Sequence, residues 1–247
     1  KERTPFVLFQ YQVDFFNIIQ ENKRVIVIKP RGMGFTWLKA FINVWRMAYR
    51  KLRGIVISRV EEDLDLSNDR HQTIFGRMRF ILEKLPYTVL YQSSYKTLII
   101  GSNQYLGKSS NKDAARSGRG ELVEVEEAGV IQNLTLIMRA VNSLAKRIII
   151  GGSVTSDNNG FYDYWESKQS NYFHVFWEYW MNPIYACDGW LEDAEAGYGN
   201  DKDGFKQEIM VDFFATMSGT VFKNFSFIKK VSSLPSGSYL RKMTGID

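Results

Sequence analysis

A run of β-branched residues leads directly into a glycine-containing turn at residues 24–36, and this segment constrains the fold more than any other. The run Arg24–Ile28 is continuously apolar after its first residue, which is typical of a parallel strand buried on both faces. A turn with two glycines follows, and Thr36–Tyr49 then has the spacing of an amphipathic helix. Strand, glycine turn and helix in this order form a phosphate-binding loop, in which backbone N–H groups at a helix start face an anion. The segment predicts an α/β protein that binds a phosphorylated ligand.

The usual form of this loop, G-x-x-x-x-G-K-[ST], is only partly kept. Gly34 and Thr36 are in register with it, but Phe35 stands where lysine is expected and Lys29 stands where the first glycine is expected. From the start of the loop, the long side chain of Lys29 can swing back toward the β- and γ-phosphates, and Arg31 offers a second cation. The alternative is that Lys29 is the solvated end of a strand and the site is an inactive remnant.

A second apolar run ends in a pair of carboxylates. The predicted strand at residues 121–127 closes with Glu126 and Glu127. Together with Thr36, Glu126 can hold Mg²⁺, while Glu127 faces the other way and can polarise an attacking water molecule. Glu124 shares a strand face with Glu126, so it must either pair with a cation or mark an exposed edge.

The rest of the chain alternates between strand and helix patterns. We expect helices at residues 8–21, 36–49, 60–84, 134–144 and 206–214, strands at 24–28, 54–58, 88–91, 97–100, 104–106, 121–127 and 147–153, and loops at 107–120 and 188–204. This alternation predicts an α/β sandwich.

The chain has a net charge of +5 at pH 7, and its basic residues are unevenly distributed. Residues 22–60 contain ten lysines and arginines but no aspartate or glutamate. Such a stretch favours a polyanionic partner. For Arg46, Arg50, Lys51 and Arg53, the alternative is that they only solvate a helix end, where cations also interact favourably with the helix dipole.

Composition argues against several other classes of protein. Cys187 is the only cysteine, so an intrachain disulfide is impossible and a reducing, intracellular setting is favoured. One cysteine and two histidines argue against a structural zinc site. No run approaches the roughly 20 apolar residues that cross a bilayer, so we expect no membrane partner.

Several of these motifs, in this order, resemble the ATPase domain of the large terminase subunit, the genome-packaging motor of tailed bacteriophages. The resemblance covers nearly the whole chain and implies a three-layer αβα sandwich with a mainly parallel sheet, the RecA-like P-loop NTPase fold with an additional strand. The segment at residues 8–16 is similar to the adenine-contacting segment of that family, which implies a role for Gln12. The loop resembles deviant Walker A loops of terminases, some of which have an aromatic residue at the lysine position and a lysine at the loop start. The resemblance implies that ATP binds at Lys29, Pro30, Arg31, Gly32, Met33, Gly34, Phe35 and Thr36.

Two further segments resemble functional motifs of the same family. The segment at residues 114–120 looks like the one that supplies an arginine finger to a neighbouring subunit, which implies that role for Arg116, with Arg119 as the close rival. The segment at residues 152–165 resembles the coupling motif, which implies that Ser153 and Thr155 sense the γ-phosphate.

The C-terminal part resembles the linker and the first nuclease strand of terminases. We expect an ATPase domain at residues 1–218, a linker at 219–238, and the start of an RNase H-like nuclease domain at 239–247. By this resemblance Asp247 is the first nuclease metal ligand, and full-length proteins of the family continue beyond it. We expect no DNA cleavage from the residues present.

The resemblance implies a complete biochemical role. It implies an Mg²⁺-dependent ATPase that translocates double-stranded DNA into a viral procapsid, acting as a homo-oligomeric ring on the portal with a small terminase subunit, in the host cytoplasm. Two alternatives remain: a helicase-like ATPase acting on nucleic acid elsewhere, and a catalytically impaired P-loop scaffold. Phe35 and the replacement of the usual aspartate by Glu126 motivate the scaffold.

Overall fold

The computed structural model describes residues 7–66, 71–110, 120–155, 160–167, 171–212 and 215. The strands are β1 (Arg24–Ile28), β2 (Arg53–Ser58), β3 (Gln92–Ser94), β4 (Thr97–Ile100), β5 (Asn103–Ser109), β6 (Leu122–Val125), β7 (Arg147–Gly152) and β8 (Phe173–Phe176). The helices are α1 (Gln10–Glu21), α2 (Phe35–Tyr49), α3 (Glu61–Leu64), α4 (Ile74–Lys84), α5 (Leu134–Leu144), α6 (Phe161–Glu166), α7 (Trp190–Tyr198) and α8 (Lys202–Glu208). Short 3₁₀ turns lie at Ala128–Val130 and Tyr179–Met181.

The eight strands form one sheet in the order β3-β4-β5-β2-β6-β7-β1-β8. The six strands from β5 to β8 in this order run parallel, while β3 and β4 add an antiparallel edge. Strand β7 lies between β1, which leads into the glycine loop, and β6, which leads into the two carboxylates. The additional strand and the mainly parallel sheet that the sequence predicts are therefore confirmed.

Alternate residues of the central strands pack on opposite faces of the sheet. Val25 and Val27 join a core with α1, α2 and α4, whereas Ile26 and Ile28 join a second core with α5 and α6. Because successive strand residues point to opposite faces, a strand that is apolar throughout needs helices on both sides. The predicted three-layer αβα sandwich is confirmed.

The single helix expected at residues 60–84 is wrong. The structure has two helices, α3 and α4, and Thr73 caps the start of the second by accepting a hydrogen bond from the backbone N–H of Gly76 at 3.0 Å. Between them, the side chain of Asp65 turns inward, where it accepts from the backbone N–H of Lys96 and pairs with Arg79 at 2.6 Å. These polar contacts end the first helix at a position that periodicity alone does not mark.

Other element boundaries also differ from the expectations. No strand lies at residues 88–91; the edge strand is β3, and the side chain of Leu90 is 86% exposed. Residues 107–109 belong to β5 rather than to a loop. The segment at 188–204 contains α7 and the start of α8, and the helix expected at 206–214 is α8, which begins and ends earlier.

The proposed linker and nuclease start, at residues 219–247, lie outside the described residues, so the domain boundaries stay predictions. Among the residues that the structure describes, no helix is long and apolar enough to span a membrane.

Candidate nucleotide-binding site

The glycine loop joins β1 to α2 through two backbone conformations that favour glycine. Gly32 and Gly34 have φ angles of 76° and 71°, in the left-handed region where a Cβ atom is unfavourable. A side chain at Gly32 would also overlap the hydroxyl of Tyr185. In α2, which starts after Gly34, no side chain caps the first turn, so its N–H groups are available to an anion.

Three side chains hold the loop from outside by donating hydrogen bonds to its carbonyl groups. The Tyr11 hydroxyl donates to the carbonyl of Met33 at 2.8 Å, and Gln12 Nε2 reaches the same oxygen at 3.4 Å. The Tyr185 hydroxyl donates to the carbonyl of Gly32 at 3.0 Å. Burial, with a smaller contribution from Tyr185, raises the pKa of Tyr11 to about 12, so this donor stays protonated at neutral pH. Gln12 therefore contacts the loop, as well as accepting from the backbone N–H of Phe9.

Phe35, at the position where lysine is expected, points into the core. Its ring packs edge-on against Phe15 and Trp177, with ring centroids 5.4 and 5.6 Å away. A Cβ atom at Gly151 of β7 would overlap the same ring. Met33 and Pro30 are also buried. These three side chains thus pack away from the ligand side of the loop. Of these residues, only the backbone N–H groups of Met33 and Phe35 can bind phosphate, because proline has no backbone N–H.

Lys29, at the loop start, meets Glu127 from 98 residues further along the chain. Lys29 Nζ lies 3.4 Å from Glu127 Oε1, and the lysine is only 5% exposed. Glu127 has φ 50° and ψ 45°, a left-handed conformation that is uncommon for a residue other than glycine and costs about 1–3 kcal/mol. Glu127 is the second residue after the end of β6, and its side chain reaches Lys29 at the start of the loop.

Arg31 is turned toward α8 rather than over the loop. Its guanidinium donates to Glu208 Oε2 at 2.9 Å, and its backbone N–H donates to the carbonyl of the same residue at 2.9 Å. The Tyr198 hydroxyl donates to the same carboxylate at 2.6 Å. Because the Arg31 side chain is 69% exposed, solvent screens this pair, and the guanidinium can exchange partners at low cost.

Glu126, one residue before Glu127, is buried against a lysine that sequence analysis missed. Lys39 Nζ of α2 lies 2.5 Å from Glu126 Oε1 and 3.7 Å from Glu124 Oε1, and all three side chains are buried. Burial alone would lower the pKa of Lys39, but the two carboxylates outweigh it and raise the pKa. Burial raises the pKa of Glu126, although Lys39 partly opposes this effect. Of the two possibilities for Glu124, the structure therefore selects pairing with a cation.

Neighbouring side chains complete this buried network. Asn43 Nδ2 donates to Glu124 Oε2 at 2.6 Å and lies 3.0 Å from the hydroxyl of Tyr105, which also donates to Glu124. Burial and the charge of Glu124 raise the pKa of the Tyr105 hydroxyl well above its usual range, so it remains a donor. The network connects α2, β5 and β6 beneath the loop. The sequence contains one signal for this network. Glu124 is a charged residue inside the apolar run of β6, and such a residue needs a cationic partner, which is Lys39 on the buried face of α2.

Two buried oxygen atoms near the strand ends have no hydrogen-bond partner within the described part of the chain. They are Glu126 Oε2 and Ser153 Oγ, which follow β6 and β7. Leaving such atoms unpaired is costly, so they fit a site that is completed by a ligand. No group of three or more acidic, histidine or cysteine residues that could hold a metal occurs among the described residues. Mg²⁺ usually needs only one or two protein oxygens beside water and phosphate, so the unpaired Glu126 Oε2 and the Thr36 hydroxyl in the first turn of α2 are the oxygen atoms that could hold this ion.

The segment proposed for coupling touches the segment that carries Glu127. The Thr155 hydroxyl donates to the carbonyl of Gly129, in the 3₁₀ turn directly after Glu127. A Cβ atom at Gly152 would contact the backbone N–H groups of Ala128 and Gly129. Ser153 and Thr155 therefore lie beside the 3₁₀ turn that follows Glu127, whereas Arg116, Arg119 and Asp247 lie outside the described residues.

Comparison with solved structures identifies the fold. The ATPase domain of the Thermus phage P74-26 large terminase matches with a TM-score of 0.62 at 15% identity, covering 84% of this chain and 94% of that chain. The large terminase of a second, thermophilic bacteriophage, in complex with ADP, matches with a TM-score of 0.63 at 11% identity, covering 84% of this chain and 54% of that one. The same thermophilic phage protein in complex with ATP-gamma-S matches with a TM-score of 0.62 at 11% identity, covering 84% of this chain and 53% of that chain.

These likenesses establish the fold of a large terminase ATPase domain for this chain. The chain spans about half of the thermophilic phage protein and nearly all of the P74-26 domain. No family model and no curated protein matches the sequence.

Proposed function

We propose that this chain is the ATP-hydrolysing motor domain of a viral DNA-packaging machine. The observation that carries the proposal is the ion pair between Lys29 and Glu127 at the mouth of the glycine loop, 3.4 Å long. It unites the cation that replaces the missing lysine with the carboxylate that is placed to activate water. Both follow parallel strands, at the sheet edge where ligands of open α/β folds bind.

In this proposal the residues divide the work of hydrolysis. The backbone N–H groups of the loop and the start of α2 bind the phosphates, and Lys29 moves from Glu127 to the β- and γ-phosphates when ATP binds. Glu127, released from the lysine, orients and polarises the attacking water. Thr36 and Glu126 hold Mg²⁺, which neutralises charge on the phosphates when bound. Arg31 leaves Glu208 to add a second cation.

The coupling and assembly roles extend the proposal beyond the described residues. Ser153, whose hydroxyl has no partner in the described part of the chain, senses the γ-phosphate, and Thr155 passes the change to the turn after Glu127. Arg116, or its rival Arg119, acts on a neighbouring subunit in a homo-oligomeric ring on the procapsid portal. Double-stranded DNA and a small terminase subunit are the further partners, in the host cytoplasm.

The solved structures that share the fold support a nucleotide-binding motor. The thermophilic phage protein was solved with ADP and with ATP-gamma-S, and both it and the P74-26 protein are large terminases. A nuclease domain after residue 238 completes the proposed organisation. The segment at residues 219–238 is then the linker.

One observation favours a second candidate, a P-loop scaffold without useful turnover. Phe35 is buried in the core, so the position that usually supplies a lysine supplies no charge to the phosphates. If Lys29 stays with Glu127 when ATP is present, both catalytic groups are occupied by each other.

ATP turnover separates the two candidates. We expect measurable hydrolysis by the wild type, and a loss of about 10²-fold or more in Lys29→Ala and in Glu127→Gln, because each removes a group that acts on the transition state. Lys23→Ala removes an exposed lysine before β1 and should leave the rate unchanged. Equal rates in all four proteins, or no rate in any, would reject the motor.

The neighbour-supplied arginine predicts a second behaviour. Turnover per subunit should rise steeply with protein concentration or when the procapsid portal is added. A rate that is independent of concentration, and that is lost only in mixtures where the arginine is missing from the same subunit as Glu127, would contradict action between subunits.

A further inference from the structure

A basic cavity lies at the opposite edge of the sheet from the glycine loop. It has a volume of about 430 Å³, within the range of small-ligand sites. Leu52 precedes β2, Leu122 begins β6 and Arg147 begins β7, so the wall is built from the amino ends of the parallel strands. The length of β6 places it on the order of 13 Å from Glu126 along the strand.

The charge of the lining is strongly one-sided. The lining includes five cationic side chains and one carboxylate: Arg46, Arg50, Lys51, Lys146, Arg147 and Glu121. Two of the cations are already engaged. Arg147 donates to the carbonyl groups of Ile19, Gln20 and Asn22 at the end of α1, and Lys146 lies 3.7 Å from Glu121. Arg46, Arg50 and Lys51 remain to face a ligand.

Arg46 is the residue that makes this cavity a candidate binding site. Its residue is only 9% exposed, and its guanidinium has no hydrogen bond or ion pair within the described part of the chain. Because Arg46 lines the cavity and none of its guanidinium N–H donors binds an acceptor among the described residues, these donors are left to water or to an oxyanion, and an oxyanion is the stronger acceptor for a guanidinium. Glu124 is close enough to act on Arg46 through its charge, but it forms no hydrogen bond with it. The exposed Arg50, whose guanidinium lies 5.7 Å from the ring centroid of Trp45, and Lys51 complete the basic rim.

We propose that this cavity is a second phosphate-binding site, separate from the nucleotide loop. Arg46 forms its buried base, where its planar fork matches a phosphate group, and Arg50 and Lys51 add charge at the mouth. The phosphate belongs either to a free polyphosphate anion or to the backbone of duplex DNA. The site accounts for some of the basic residues at positions 22–60, a segment that contains no aspartate or glutamate and that the nucleotide loop explains only in part.

Titration calorimetry with pyrophosphate tests the site in the intact chain. Arg46→Gln should weaken pyrophosphate binding at this site at least tenfold, and the exposed pair Arg50→Gln/Lys51→Gln should do so without a risk to folding. Arg139→Gln is the matched control, because it removes one arginine from the exposed face of α5, outside the cavity. Lys29→Ala should leave this binding intact, and pyrophosphate binding that disappears in Lys29→Ala but persists in the cavity variants would place the anion at the nucleotide loop and overturn the proposal.

Duplex DNA distinguishes the two sources of phosphate. If the cavity takes a backbone phosphate, the Arg50→Gln/Lys51→Gln variant should bind a labelled duplex more weakly, with a salt slope lower by roughly one for each phosphate that is no longer bound, and pyrophosphate should compete. If the ligand is a free anion, only pyrophosphate binding falls. Binding of both probes that is unchanged in the folded Arg46 and Arg50/Lys51 variants would overturn the proposal.

Discussion

Replacing Lys39 by methionine tests whether the buried network beneath the loop is held by charge. The substitution keeps most of the side-chain length but removes the ammonium that lies 2.5 Å from Glu126 and 3.7 Å from Glu124. Both carboxylates then remain buried without their cation. Removing one partner of a buried ion pair costs about 3–5 kcal/mol, against a total stability of about 5–15 kcal/mol for a typical domain.

The pH dependence of this loss identifies its cause. A carboxyl group whose pKa is higher in the folded than in the unfolded chain contributes stability below its unfolded pKa, and this contribution is lost as pH rises through the folded pKa. Burial already raises the pKa of Glu126 above its ordinary 4.5, and removing Lys39 raises it further. The loss should therefore be larger at pH 8 than at pH 5.

Urea unfolding, followed by tryptophan fluorescence at the two pH values, measures the effect. Lys146→Met is the matched control, because it removes the same group from a pair that is 79% and 43% exposed and should cost less than about 1 kcal/mol at both pH values. Adding Glu126→Gln to Lys39→Met should recover part of the loss. A loss below about 1 kcal/mol that does not change with pH would refute the reasoning.

Three further predictions concern single contacts around the site. Gly151→Ala should cost about 1–3 kcal/mol in urea unfolding, because its Cβ overlaps the ring of Phe35, whereas Gly197→Ala, in α7 with open space around it, should gain up to about 1 kcal/mol. Glu127→Gly should have a higher unfolding midpoint than Glu127→Ala, because both remove the ion pair with Lys29 and only glycine relieves the left-handed backbone; both should abolish ATP turnover, and equal midpoints would argue against strain there. Tyr105→Phe should cost about 1–3 kcal/mol in the same unfolding assay, because Glu124 loses a buried donor; an unchanged midpoint would contradict that bond.

The central part of the fold could be predicted because its signals are local and strong. The continuous apolar run of β1 allows few structures other than a strand buried between two helix layers. The glycines at positions 32 and 34 mark the turn, and the structure shows both in the left-handed region that favours glycine. The position of β7 between β1 and β6 then follows from the strand order that is typical of this architecture.

Elements at the periphery were missed because they have little buried surface. Helix α7 contains no buried residue, so it has no apolar stripe from which periodicity could predict it. It is held by Trp190, whose ring stacks on Tyr185 with centroids 4.2 Å apart, a tertiary contact that helical periodicity does not reveal. Strand β8 exposes three of its four residues, and only Val175 is buried.

Within the site, residue types were predictable and partners were not. The sequence places Lys29 and Glu127 at strand ends, but their ion pair joins residues 98 positions apart. Lys39 was missed because a lysine on an amphipathic helix usually faces solvent. It lies on the face of Phe35 and Asn43, and only the buried carboxylates of the adjacent strand explain a charge at that position.

The most direct test of the account is the position of the Lys29 ammonium when nucleotide is bound. A crystal structure with ATP-gamma-S and Mg²⁺ should show Lys29 Nζ within about 3 Å of a β- or γ-phosphate oxygen, with its contact to Glu127 broken. If the ammonium still lies against Glu127 and no other cation contacts the triphosphate, the displaced lysine does not replace the missing one and the motor assignment fails.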